Sequence, residues 1–220
     1  MNVDRAATVL LLAKEPVPGR VKTRLHVSFS PYEAARLAAA AIEDSLAAVG
    51  AAKVARRIAV WDGAGVSWRH RLGRAGVAVV DQRPGSLNDR LTGAFLDSAA
   101  ADGPGIQDRA RLLIGMDTPQ ATASLLESDW GGADAVLGLS DDGGFWAIGL
   151  RGADPGECFH GIPMSTDRTG AAQLNRLVDL GLSVKLLAPL RDVDEPGDAA
   201  AVAYEHPRLR FSRCYREIVD

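Results

Sequence analysis

The sequence predicts a three-layer α/β/α fold built on a mainly parallel, doubly wound sheet with one antiparallel strand. Three observations predict it. Short apolar runs recur along the chain, such as TVLLLA at residues 8–13 and RLLIGM at 111–116. Between most of them lie stretches with helical apolar spacing, the pattern of β-α-β units. One pair of runs is joined only by Asp141, Asp142, Gly143 and Gly144. So short a connection demands a hairpin, because a parallel crossover needs a dozen residues or more.

The elements follow in order. Residues 8–13 read as a buried strand, bounded by a loop with Pro16, Pro18 and Gly19. Residues 31–49 read as a long helix: Ser30 is a natural N-cap, Pro31 suits the first position, Glu33 falls at the third, and Gly50 can end it. Residues 57–61 form the next strand, 67–74 a short helix and 77–80 a third strand. Pro84 and Gly85 turn, Ser86 caps, and Leu87, Leu91, Ala94 and Phe95 give helical spacing. Residues 111–116 are a strongly apolar strand, and Thr118-Pro119 is expected to start a helix running toward Trp130. Strands at 133–139 and 145–150 form the hairpin. A helix at 166–180, a strand at 183–187, a short helix at 198–204 and a terminal helix over 208–220 complete the chain.

Composition sets bounds. The chain has 220 residues, 47% hydrophobic and 24% charged, so residues 1–220 fit one globular domain. A formal net charge of -3 gives no global basic field for nucleic acid or an anionic membrane. No apolar run is long enough to span a bilayer, and the leading residues lack a secretory pattern. Cys158 and Cys214 are too few for a disulfide framework and fit a reducing compartment, so a cytoplasmic protein is expected. His26, His70, His160 and His206 are scattered without ligand spacing. G-x-S-x-G, Walker and G-x-G-x-x-G motifs are absent, which disfavours serine hydrolases, P-loop enzymes and typical dinucleotide-binding proteins.

Chemistry gathers at two places. The loop after the first strand carries Lys14, Arg20, Lys22 and Arg24. Open α/β sheets place ligands beyond the carboxyl ends of their strands, and Arg and Lys suit phosphate oxygens. The alternative is a solvated basic loop. Asp117 follows the strand at 111–116 directly and serves either as a site carboxylate or as a helix N-cap. In RDVDEP, Asp192 and Asp194 stand at i and i+2, so in an extended segment both side chains point one way. Carboxylates converging with phosphate oxygens hold Mg²⁺ or Mn²⁺; turn chemistry is the other account of the pair. Gly143 permits close backbone approach, to a ligand or in a plain turn. Ser165 and Thr166 offer hydroxyls and amides just before a helix, as an anion pocket or as caps.

The motifs AKEPVPGRVKTRL, QRPGSLNDRL, LLIGMDTP, DDGGFWAIGL, GIPMST and PLRDVDEP together resemble the DUF2064 family, the "transferase 1, rSAM/selenodomain-associated" group of the nucleotide-diphospho-sugar transferase superfamily. The resemblance implies a glycosyltransferase-A fold binding a nucleotide and a divalent metal. The group is also similar to the guanylyltransferases of the coenzyme F420 pathway. Carried over, Lys14 and Lys22 would hold phosphates, with Arg24 beside them. Leu87 and Asn88 would lie near the base or ribose. Asp117, Asp192 and Asp194 would bind Mg²⁺ or Mn²⁺, and Ser165 or Thr166 would meet an acidic acceptor. The expected function is then a Mg²⁺-dependent nucleotidyltransferase moving an NMP from an NTP to a small phosphorylated or anionic acceptor. Lys22 and Arg20 would be the catalytic cations and Gly143 a further nucleotide contact. A glycosyltransferase using a nucleotide sugar, with Asp142 as base, is the second reading. A non-catalytic nucleotide-binding module is the third.

Overall fold

The computed structural model describes residues 4–100 and 109–220. The first half comprises β1 (Thr8–Lys14), a 3-10 turn (Thr23–Val27), α1 (Pro31–Ala51), β2 (Arg56–Asp62), α2 (Val66–Arg74), β3 (Ala78–Asp81) and α3 (Leu87–Ala100). Then come β4 (Arg111–Gly115), α4 (Ala123–Leu126), β5 (Ala135–Leu139), β6 (Phe145–Leu150) and α5 (Pro155–Phe159). The chain closes with α6 (Thr169–Asp179), β7 (Val184–Leu186), α7 (Pro196–Glu205) and α8 (Arg210–Val219).

The described strands form one seven-stranded sheet in the order β3-β2-β1-β4-β6-β5-β7. The sheet is parallel except for β6, which runs antiparallel to both β4 and β5. The chain winds outward from β1 through β2 to β3, then returns to place β4 on the other flank of β1. That reversal makes a crevice at the carboxyl ends of β1 and β4. Lys14 ends β1, and Asp117 lies just past β4.

The central strands are buried on both faces, so they read as near-continuous apolar runs. One face packs against α1 and α4, with Trp61, Trp130 and Trp146 in its core. The other packs against α3, α5 and α6 around Phe95 and Phe159. A third apolar cluster joins Leu25, Phe29, the outer side of α1, α7, α8 and Val193. This cluster matters for the site: it seats the 3-10 turn that follows the basic loop and the centre of the Asp-Val-Asp segment in one core. Among the described residues, no helix is long and apolar enough to cross a membrane.

Local chemistry explains the main helices. Ser30 and Glu33 form a reciprocal capping box at α1, with Pro31 at its first turn. The helix runs past Gly50 to Ala51 and stops where Ala52 turns extended. Asp44, only 7% exposed, caps α8 from a distance by accepting the Arg210 and Phe211 amides at 3.1 and 2.9 Å.

Two expectations need correction. No helix starts at Thr118-Pro119: between Asp117 and Trp130 the helix is the one-turn α4, capped by Thr122, whose Oγ accepts from the Leu125 amide. Residues 117–120 are tied instead to the loop before α7, where the Val193 amide donates to the Asp117 carbonyl at 2.9 Å. The Gln120 side chain also donates to the Arg191 carbonyl at 2.6 Å. The helix expected over 166–180 begins only at Thr169, and α5, capped by Asp154, was not anticipated.

Asp44→Ala removes the acceptor for two buried α8 amides and is expected to cost about 1–2 kcal/mol, the range for a lost N-cap. A lower urea midpoint at unchanged slope is the expected readout; an unmoved midpoint removes Asp44 from that role.

Candidate functional site

The basic loop folds so that Lys22 turns inward. Val21 and Leu25 are buried, Pro16 and Pro18 limit the chain, and Lys22 takes a left-handed conformation at φ 48° before the 3-10 turn. A non-glycine residue in that region is held by its surroundings. Here the hold is evident. The Lys22 ammonium lies 2.5 Å from Asp117 Oδ1 and 3.2 Å from Asp194 Oδ1, and also donates to the Val193 carbonyl. Its side chain is 7% exposed. Burial alone would depress its pKa, but Asp117 and Asp194 outweigh that, so the net shift is upward and the charge stays. Arg24 pairs with the other Asp194 oxygen at 2.9 Å.

The Asp-Val-Asp segment obeys strand alternation. Val193 points into the third apolar cluster, and Asp192 and Asp194 both face the opposite way, into a cleft of ≈ 410 Å³. Asp192 Oδ2 accepts from the Ser140 hydroxyl at 3.1 Å. Burial first, then the charges of Asp117 and Asp142, push the Asp192 carboxyl up to about 7, against the opposing effects of Lys22 and Ser140. Arg191 bridges Asp141 at 3.1 Å and Asp198 at 3.4 Å, stitching the β5–β6 turn to the start of α7.

Two hollows meet here. The ≈ 410 Å³ cleft is floored by leucines of β1, α3 and β4, walled by Phe145 and Met164, and rimmed by carboxylates. A second hollow of ≈ 260 Å³ is lined by Lys14, Arg20, Lys22 and Arg24. Both share Arg24, Asp117 and Asp194. Lys14 sits 3.7 Å from Asp62, and Arg20 is exposed.

The structure therefore brings Lys14, Arg20, Lys22, Arg24, Asp117, Asp192 and Asp194 together at one end of the sheet. It does not close the three aspartates around a point: among the described residues, no three His, Cys, Asp or Glu side chains are grouped to hold a metal. The ammonium of Lys22 stands between Asp117 and Asp194. The donor chemistry nonetheless fits a hard divalent cation, since every donor is a carboxylate oxygen.

Other expectations sort differently. Leu87 lines the cleft; Asn88 donates to the Ile162 carbonyl at 3.0 Å and leaves its own buried oxygen unpartnered. Gly143 does not line the cleft. Its φ of 87° and its backbone contact explain the glycine: a Cβ there would lie 2.0 Å from the Asp167 carbonyl oxygen. Ser165 and Thr166 line the cleft but form no open anion pocket. The Thr166 amide donates to Thr169 Oγ1 at 3.1 Å, the Thr169 amide to the Thr166 carbonyl, and the Gly170 amide to the Gly143 carbonyl at 2.8 Å. The first two α6 amides are satisfied by the protein's own oxygens, so the capping alternative prevails there. Sequence reasoning missed Ser140, Arg191 and the Phe145-Met164 wall. The available signal was the hairpin itself, whose return strand must begin at the site end of the sheet.

A model of the family described as "Uncharacterized protein conserved in bacteria (DUF2064)" matches residues 45–166. The chain superposes on an inferred nucleotide-diphospho-sugar transferase from Desulfovibrio desulfuricans G20 with a TM-score of 0.83 and 23% identity, covering 96% of this chain and 94% of that one. A Methanothermobacter nucleotidyl transferase gives 0.58 at 19% identity, covering 97% and 99%. Glucosyl-3-phosphoglycerate synthase from Mycobacterium tuberculosis, solved with Mn²⁺, UDP and glucosyl-3-phosphoglycerate, gives 0.51 at 14% identity, covering 98% and 77%. No curated protein sequence matches the chain. At these identities the likeness establishes the fold.

Because the Asp192 pKa is raised on folding from 3.8 to about 7, the folded chain binds that proton more tightly than the unfolded one. Its contribution to stability is full below pH 3.8 and is lost as pH rises through about 7. Denaturant titrations across that window are expected to show the decline in the native protein and a flatter profile in Asp192→Asn. Equal slopes in both would relocate the titrating group.

Proposed function

The chain belongs to the DUF2064 family, and on that premise we propose that it is a metal-dependent nucleotidyltransferase acting as one domain over residues 1–220. One observation carries the reading: Lys22 joins Asp117 to Asp194 at the ends of β1 and β4, so the cationic hollow and the acidic cleft become one continuous site. A triphosphate requires positive charge beyond what the protein's own carboxylates consume. Lys22 and Arg24 are paired with Asp117 and Asp194 and Lys14 with Asp62, whereas Arg20 lines the hollow and makes no ion pair among the described residues.

In this reading the phosphates of an NTP lie along Lys14, Arg20, Lys22 and Arg24, with Leu87 and Asn88 toward the nucleoside. Asp117, Asp192 and Asp194 would hold Mg²⁺ or Mn²⁺, which would supply Lewis-acid neutralisation of phosphate charge. An acceptor oxygen attacks the α-phosphorus in line. The bond from that phosphorus to the oxygen bridging the β-phosphate breaks, and pyrophosphate leaves with the electron pair. The acceptor's proton passes to solvent or to a cleft carboxylate. Lys22 and Arg20 neutralise the leaving charge, and the rest is positioning, so no covalent nucleophile is needed. Family membership and the likeness in fold to nucleotidyl and nucleotide-sugar transferases support a transferase.

Glycosyl transfer from a nucleotide sugar is the second reading, favoured by Asp142, a carboxylate that lines the cleft and could serve as base. Released pyrophosphate marks the first reaction and released nucleoside diphosphate the second.

A thermal-shift panel of NTPs and sugar nucleotides, with and without Mg²⁺, reads binding directly, because a ligand specific to the folded state raises its stability. An NTP is expected to stabilise the protein only with Mg²⁺, and Asp117→Asn to abolish that increment and also to lower the ligand-free melting point, because the buried Lys22 loses one of its two carboxylate partners. Arg20→Ala, at an exposed position, is expected to weaken the NTP by about 1.5–3 kcal/mol, the range for a charged hydrogen bond. A metal-independent increment, or one unchanged in Asp117→Asn, overturns the assignment.

A further inference from the structure

We infer that the acceptor taken by the ≈ 410 Å³ cleft is a molecule with an apolar body and a positively charged amine, not an anion. The inference rests on the transferase reading and names the substrate class of the same site.

Charge is the first ground. The cleft is lined by Asp117, Asp142, Asp167, Asp192 and Asp194 against one cation, Arg24, which is already paired with Asp194 at 2.9 Å. In the working site Lys22, Arg24 and a divalent ion would answer Asp117, Asp192 and Asp194, leaving little surplus once phosphates arrive. Asp142 and Asp167 would still be unanswered. Among the described residues neither makes an ion pair; the one bond Asp142 accepts is from the Gly144 amide, at 2.8 Å. Both lie on exposed residues beside each other, because the turn that carries Asp142 packs backbone to backbone against Asp167 at Gly143. Like charges so placed favour a cation between them.

The second ground is how few amides are left for an anion ahead of α6. The Thr169 and Gly170 amides already donate to the Thr166 and Gly143 carbonyls, and the Thr166 amide to Thr169 Oγ1. The third is the wall. Phe145 and Met164 line the cleft together with Leu87 and Leu91, a surface that binds apolar area and repays nothing to a small hydrated anion. An amine held by Asp142 and Asp167, with its carbon skeleton on that wall, satisfies all three.

The test uses three probes that share one skeleton and differ in charge: phenylbutylamine, phenylbutanol and phenylbutyrate. Their affinities for the full chain in Mg²⁺ buffer are read by ligand-observed NMR. The amine is expected to bind about tenfold tighter than the carboxylate, the scale of two partly exposed ion pairs gained rather than repelled. The alcohol should fall between them, and added salt should compress the ranking. In the D142N/D167N double variant the ranking should collapse; asparagine keeps the oxygen that accepts from Gly144, and an unchanged melting point certifies the fold. A carboxylate that binds as well as the amine, no difference among the three, or a ranking that survives in the double variant overturns the inference. The same samples titrated with NTP separate the two readings: nucleotide binding without amine preference sinks only the acceptor class, whereas amine preference without nucleotide binding sinks only the transferase.

Discussion

Three stretches of chain, distant in sequence, are tied by one ammonium group. Lys22 comes from the loop after β1, Asp117 from the end of β4, and Asp194 from the segment before α7. The charge is buried, and a buried cation is tolerated only where its partners are close and its protons are all bonded. Here two carboxylates and the Val193 carbonyl take them. The arrangement constrains its neighbours in turn. Lys22 must adopt a left-handed backbone to aim inward, and residues 117–120 must stay irregular to meet the Asp-Val-Asp loop. The helix that Thr118-Pro119 would otherwise start is given up to that pairing.

Apolar packing holds the charges in register. Leu25 and Val193 enter the same cluster with α1, α7 and α8, so the basic loop and the acidic segment share one support. Val193 is what makes the flanking aspartates a pair: with the central side chain in the core, strand alternation sends both carboxylates to the cleft. Arg191 extends this support sideways, because its guanidinium reaches Asp141 in the hairpin turn and Asp198 in α7. The hydrogen bond from Ser140 to Asp192 closes the same seam from the other side.

Much of this was legible in the residues, and for physical reasons. Apolar runs flanked by helical spacing specify a parallel sheet because both of its faces are covered, and Asp141 to Gly144 specify a hairpin because no crossover fits. The meeting of Lys22 with Asp117 and Asp194 follows from the rule that ligands gather at strand ends. What the residues did not reveal depends on long-range partners. Whether Thr166 caps or binds an anion turns on Thr169 and on the Gly143 carbonyl arriving from another element. Whether Gly143 meets a ligand or a neighbouring backbone turns on Asp167. Whether Lys22 faces phosphate or carboxylates turns on a left-handed residue that no local pattern announces.

The contact between the hairpin turn and the segment ahead of α6 fixes how closely these two parts of the chain stand. A side chain at Gly143 would meet the Asp167 carbonyl at 2.0 Å, and one at Gly170 would meet the Gly144 carbonyl at 2.4 Å. Main chain abuts main chain at both positions, so the gap there cannot be widened or narrowed by trading side chains. Divergence among relatives that keep this seam would then proceed through side chains such as Phe145, Met164 and Leu91, altering the depth and contour of the chamber.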